Sequence, residues 1–172
     1  MTEQVILVDN NDLPIGQMEK LEAHKKGLLH RAFSVFIFNS NNELLLQQRA
    51  YSKYHSGGLW TNTCCSHPRF GEHNFDAANR RLDEEMGMKC SLTYAFSFTY
   101  KATFADGLIE HELDHVFFGN SDEIPKINKE EVENYKYISL KDLKIQIVKE
   151  PEIFTPWLKI CLEKVVEARL LS

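Results

Sequence analysis

The chain has 172 residues, 43% of them hydrophobic and 26% charged, enough for one domain (residues 1–172) around a sizeable core. A net charge of −5 argues against a broad nucleic-acid-binding surface, and no apolar run approaches the roughly 20 residues of a membrane helix. The four cysteines, Cys64, Cys65, Cys90 and Cys161, form neither a disulfide framework nor a C-x-x-C pair, and no signal peptide is evident, so reduced thiols and a cytoplasmic location are expected.

Residues 5–8 read as a short strand that turns at 9–12 into a return strand over 13–16. A short helix over 18–26 carries His24 and ends at Gly27. Residues 33–38 are rich in aromatic and branched side chains and predict a strong strand, joined through a turn at 39–43 to a partner strand over 43–49. A polar loop covers 50–58, with Arg49 and Lys53 near its start. The stretch 60–68 reads Trp-Thr-Asn-Thr-Cys-Cys-Ser-His-Pro. If it is extended, alternation turns Cys65 and His67 to one face and Cys64 to the other.

The clearest helix runs over 75–86, with Asn74 as N-cap, Gly87 as C-cap and an apolar stripe of Phe75, Ala78, Leu82 and Met86. Residues 92–104 and 108–119 form a long antiparallel pair around Ala105-Asp106-Gly107. A further strand covers 135–138 and a single helical turn 140–143. A terminal helix spans 151–171, interrupted or restarted at Pro156. Mixed strands and helices with prominent hairpins predict an α/β (α+β) fold: a mixed sheet with helices on both faces.

Seven histidines are available. His24, His30 and His67 lie in or beside element ends, where a metal ligand can be aimed. His55 and His73 fit a surface or packing role. His111 and His115 should face away from Glu110 and Glu112. Spacing alone selects no ligand set, since there is neither H-x3-H nor C-x2-C. Glu110 and Glu112 are more telling. On one strand face they stand roughly 7 Å apart, with Asp114 beyond them, and Val116 and Phe118 continue that face. If it is buried, a cation or a shared proton must compensate the like charges. On the 75–86 helix, Arg80-Arg81 and Glu84-Glu85 can be simple i,i+4 pairs, or an arginine for a phosphate and a carboxylate for Mg²⁺.

Residues 66–88 resemble a degenerate Nudix box, G-x5-E-x7-R-E-U-x-E-E-x-G-U with U aliphatic. Ser66, Glu72, Arg80, Arg81, Leu82, Glu84, Glu85, Gly87 and Met88 stand in register. Ser66 replaces the first glycine, and Arg81 replaces a glutamate of the hydrolases' metal cluster, which argues against ordinary diphosphate hydrolysis. A wider resemblance, over nearly the whole chain, is to the type 1 isopentenyl-diphosphate isomerases. It is carried by Lys20, His24, His30, Arg49, Lys53, Trp60-Thr61-Asn62, Cys65, His67-Pro68, Arg80-Arg81, Tyr100, Glu110-x-Glu112 and Phe154-Thr155-Pro156-Trp157.

The resemblance implies a Nudix-like mixed sheet between helices and conversion of isopentenyl diphosphate to dimethylallyl diphosphate through a tertiary carbocation. Cys65 and Glu112 would stand on opposite faces of the C5 unit, with Tyr100 and Trp157 shielding the cation. His24, His30, His67, Glu110 and Glu112 would hold a transition ion, Zn²⁺ or Mn²⁺, with Mg²⁺ the alternative. A second ion, Mg²⁺, would bridge Glu85 and the diphosphate, whose remaining charge Lys20, Arg49, Lys53 and Arg81 would neutralise. The partner implied is a small molecule, with neither nucleic acid nor membrane, for a monomer or, as the alternative, a dimer. Two rival classes are a Nudix hydrolase of nucleoside or prenyl diphosphates and a non-enzymatic module with a structural metal.

Overall fold

A computed structural model describes residues 2–171; Met1 and Ser172, the ends of the expected domain, lie outside the described residues. The first strands, β1 (Gln4–Val8) and β2 (Pro14–Glu19), form the expected hairpin. Helix α1 (Lys20–Lys26) follows at once, two residues later than expected because β2 runs on to Glu19. The Glu19 carboxylate caps α1, and Gly27 closes it at φ 65°.

Strands β3 (His30–Phe38) and β4 (Glu43–Arg49) are joined by the expected turn, but they are not the expected ladder partners. They share one pairing, Phe38 with Leu44, and then separate. The gap is filled by the segment 60–66, as β5 (Trp60–Thr61) on β4 and β6 (Cys64–Ser66) on β3. Its polar residues replace the missing ladder. Thr63 Oγ1 accepts from Ile37 N at 2.9 Å and donates to Leu45 O at 2.6 Å. Asn62 Nδ2 donates to Val35 O at 3.2 Å and to Cys64 O at 2.8 Å, and Gln47 Nε2 donates to Thr63 O at 2.8 Å. These side chains are fully buried, so each bond answers a backbone group that water cannot reach.

With one side taken by the wedge, β3 pairs in parallel along its length with β8 (Ile109–Asn120), which pairs antiparallel with β7 (Leu92–Thr103). Strand β4 pairs with β9 (Val132–Ser139), longer than the expected 135–138. All nine strands belong to one mixed sheet. Helix α2 (Asn74–Met86) covers one face, packing Ala77, Ala78, Leu82 and Met86 on Phe33, Val35 and Ile37. Asn74 is its first residue rather than its cap, which is His73, and Phe75 is half exposed rather than part of the stripe. Helix α3 (Leu140–Lys149) has ten residues, not one turn. After a 3₁₀ turn at Pro151–Ile153, α4 (Pro156–Leu170) begins at its proline and packs Trp157, Leu158, Cys161 and Val165 on the other face, against Phe36, Phe38 and Val116.

The wedge makes a stability prediction. Thr63→Val keeps the shape but strands the Ile37 N–H and the Leu45 carbonyl. The expected loss is about 1–3 kcal/mol for each stranded group, read as a lower urea midpoint at unchanged m-value. A native midpoint would show that Thr63 is not what holds the two strands apart.

Candidate active site

Register alone assembles the acidic wall. Along β8, Glu110, Glu112 and Asp114 alternate onto the α4 face and are 4%, 6% and 1% exposed. His111 and His115 turn the other way, to Gly27 O at 3.1 Å and Asp12 Oδ2 at 2.9 Å. Tyr100 on β7 lies opposite Glu112, and its hydroxyl contacts Glu110 Oε1 and, at 2.8 Å, Glu112 Oε2. One phenolic proton cannot serve both carboxylates, so the cluster calls for another proton or a cation. Burial and the neighbouring Glu112 charge push Glu110 upward. Burial acts the same way on Glu112, but His67 and His30 outweigh it and hold that carboxyl well below the usual range. Asp114 is pushed well up by burial and by Glu112, while Ser34 Oγ donates to it at 2.7 Å.

Three imidazoles close on Glu112. His30 opens β3 beside Glu112 in the parallel ladder, with Nε2 3.3 Å from Glu112 Oε1. His67, just past β6, brings Nε2 to 2.9 Å from the same oxygen. His24, on α1, lies with its ring 5.1 Å from that of His30. The Nδ1 atoms of two rings are already engaged: His30 donates to Leu28 O at 2.9 Å, and His24 meets the Tyr54 hydroxyl at 2.7 Å. Their Nε2 atoms are buried without a hydrogen-bond partner, as is His67 Nδ1. In the neutral rings of His24 and His30 the lone pairs then point inward, the arrangement a metal ion requires. Burial and the His30 and His67 charges push His24 down to about 3. Burial also presses on His67, but Glu112 and Glu3 carry it up to about 9.

Donor atoms of His24, His30, His67 and Glu112 all lie within 4.8 Å of one another. Glu110 is not in that set; it groups with His24 and His55 within the same limit. The expected five ligands are thus split into two overlapping groups that share His24. His55, expected in a surface or packing role, does pack, and it also faces an acid. Its Nε2 is 3.1 Å from Glu110 Oε2, and its ring stacks on Phe104 at 4.7 Å. His73 is exposed, as expected.

Cys65, Glu112, Tyr100 and Trp157 line one cavity of about 700 Å³. Cys64 points to the opposite core, as alternation requires. Burial pushes the Cys65 thiol up against the opposing influence of Arg49, so the sulfur keeps its proton at neutral pH. Lys20, Arg49, Lys53 and Arg81 line the same cavity, as does Glu85. Each of these cations has an internal partner. Lys20 pairs with Glu3 at 2.9 Å, Lys53 with Glu131, and Arg81 with Glu85 at 2.7 Å and Glu131 at 3.4 Å. Arg49 lies over the Trp157 ring at 5.3 Å. Arg80 is fixed on Glu72 by a fork at 2.8 and 2.9 Å, tying the loop before α2 to its middle. Glu3, Glu131, Tyr54 and His55 escape sequence reasoning, because each sits outside any periodic pattern; the only hint was that Tyr54 and His55 follow Lys53.

Residues 28–158 match the NUDIX domain model. The chain is 53% identical over 172 residues, all of it and 91% of the relative, to isopentenyl-diphosphate Delta-isomerase 2 of Aromatoleum aromaticum. It is 55% identical over 162 residues, 94% of this chain and 90% of the relative, to the isopentenyl-diphosphate Delta-isomerase of Pectobacterium atrosepticum. Among solved structures, DR0079 of Deinococcus radiodurans superposes with a TM-score of 0.79 at 20% identity, covering 94% of this chain and 98% of that one, a likeness of fold. The chain belongs to the type 1 isopentenyl-diphosphate Delta-isomerase family of the Nudix superfamily.

Proposed function

We propose that this protein converts isopentenyl diphosphate to dimethylallyl diphosphate, an isomerisation that belongs to isoprenoid biosynthesis. The observation that carries the reading is the shared cavity: a protonated thiol and a buried carboxylate line it together with Lys20, Arg49, Lys53 and Arg81. A proton is added to the terminal alkene carbon, C3 becomes a tertiary cation, and a proton is lost from C2. Cys65 and Glu112 are the acid–base pair for the two faces of that flat unit. Tyr100 and Trp157 exclude water, and an aromatic face contributes about 2 kcal/mol to a desolvated cation. Lys20, Lys53 and Arg81 hold the diphosphate by exchanging their internal carboxylates for phosphate oxygens, and Arg49, which has no carboxylate partner among the described residues, adds its charge directly.

His24, His30, His67, Glu110 and Glu112 would hold a divalent ion, Zn²⁺ or Mn²⁺ by ligand type with Mg²⁺ the alternative. Such an ion would supply the charge that lets both carboxylates stay ionised in a dry site. Glu85 would carry Mg²⁺ alongside the diphosphate. The reading treats 1–172 as one catalytic unit, a monomer working in the cytoplasm. No helix among the described residues is long and apolar enough to cross a membrane. Arg81, engaged with Glu84, Glu85 and Glu131, favours holding a diphosphate over cleaving one.

Cys65→Ala is expected to lower turnover by about 10²–10⁴-fold, the usual contribution of a positioned acid or base, at unchanged metal content. In deuterated water the native protein should place label at the methyl and C2 positions of the product, read by proton NMR. Full turnover in the variant would exclude the thiol from the chemistry. The metal reading is tested separately, by adding Zn²⁺ at 100 times its Kd to the chelator-stripped chain. Its melting temperature should rise by roughly 5–10 °C, for about 2.7 kcal/mol of linkage. His30→Ala should abolish most of that rise, and an unresponsive native chain would make the His–Glu cluster metal-free.

A further inference from the structure

Tyr54 and His55 are adjacent residues in the loop between β4 and β5; neither belongs to the His24, His30, His67 and Glu112 group or to the cation set, and His55 meets the cluster only through Glu110 and His24. Each touches the metal cluster from outside. The Tyr54 hydroxyl is 2.7 Å from His24 Nδ1, and His55 Nε2 is 3.1 Å from Glu110 Oε2. A metal on His24 Nε2 needs that atom's lone pair, which leaves the proton on Nδ1 and makes the tyrosine oxygen its acceptor. His55 Nε2 in turn faces Glu110 Oε2 at 3.1 Å, where the ring limits how that carboxylate can turn. Contacts of this kind orient metal ligands, and losing one typically costs 10–100-fold in metal affinity.

The same two residues are held by the cations assigned to the diphosphate. Arg49 Nη2 donates to the His55 carbonyl at 3.3 Å. Lys20 Nζ lies over the Tyr54 ring at 5.4 Å. Lys53 immediately precedes Tyr54 in the chain. A diphosphate that draws Arg49, Lys20 and Lys53 toward itself therefore acts directly on the backbone and ring of this dipeptide. Both links pass through neighbouring atoms, so no long pathway is needed.

We infer that Tyr54 and His55 are positioning residues that couple diphosphate binding to the metal cluster, so that each ligand tightens the other. The inference rests on the metal and diphosphate assignments of the proposed function. Binding linkage is reciprocal, so the effect can be read from the metal side alone.

The experiment measures the Zn²⁺ dissociation constant of the full chain by chelator competition, with and without inorganic pyrophosphate and Mg²⁺, at fixed free Zn²⁺. In the native chain magnesium pyrophosphate should tighten Zn²⁺ by about 5–150-fold, the usual range of a binding coupling. Tyr54→Phe and His55→Leu should each weaken Zn²⁺ by about 10–100-fold without pyrophosphate. The double variant should still bind magnesium pyrophosphate, which certifies its fold, yet show no tightening of Zn²⁺. His55→Gln, which can still donate to Glu110, should recover part of the loss. Native Zn²⁺ affinity in both single variants, or undiminished tightening in the double variant, would overturn the coupling. A native chain that binds no Zn²⁺ would instead sink the metal assignment on which it stands.

Discussion

Three carboxyl groups on one buried face of β8 set the terms for everything near them. Glu110, Glu112 and Asp114 sit where the strand continues into Val116 and Phe118, inside the core under α4. Removing three acids from water is costly unless protons, hydrogen bonds or cations compensate. The surrounding residues supply all three kinds. Asp114 keeps its proton with Ser34 as donor, Tyr100 spans the two glutamates, and His67 and His30 face Glu112. The histidines come from α1, β3 and the end of β6, elements that meet only because β8 lies parallel to β3 at that register. Fold and site are therefore one constraint: the ladder that pairs His30 with Glu112 also brings the imidazoles up to the acids.

The thiol is delivered by a different device. Strands β3 and β4 would close as an ordinary hairpin, but the segment 60–66 enters between them and answers their backbone through Asn62, Thr63 and Gln47. Fully buried polar side chains in so short a segment make sense only as substitutes for a sheet ladder. The wedge fixes β6 in register on β3, with Ser34 opposite Cys65. Alternation then turns Cys64 into the α2 core and Cys65 toward the cavity. A sulfur held by strand register is placed more rigidly than one on a free loop, which acid–base work on an alkene requires.

Local periodicity carried much of this. The alternation in β8, the stripe on α2 and the turn at Ala105-Asp106-Gly107 are short-range signals, and they located the acids, the helix and the long hairpin. Features decided by distant parts of the chain were not legible. Nothing within residues 33–49 reveals that a later segment will split β3 from β4. Helix α3 extends through Lys144 to Lys149, where exposed Ile145 and Val148 blur its amphipathic pattern. Phe75 has the spacing of a core residue, but only its ring edge meets the sheet, at Phe117 with centroids 6.2 Å apart, and about half of it stays exposed. A histidine in a polar loop, such as His55, carries no local signal of a partner. Only the fold brings that loop across to Glu110. The wider resemblance supplied what periodicity could not, namely which of several exposed-looking cations face one cavity.

The cations at that cavity carry a further consequence. Lys20, Lys53 and Arg81 are already paired, with Glu3, Glu131 and Glu85. Burial pushes Glu3 up, but His67 and Lys20 outweigh it and keep that acid ionised. A half-buried group of cations without anions would repel itself and destabilise the loops that bear it, so internal carboxylates answer these cations. Binding is then an exchange of one set of anions for another. The net gain is small for a singly charged or neutral tail, which cannot replace several carboxylates at once. A diphosphate, with its clustered charge, is the kind of tail that can replace several carboxylates at once. On the proposed function, selectivity for the tail follows from that balance, with Tyr100, Trp157 and Cys65 left as the uncharged walls for the rest of the substrate.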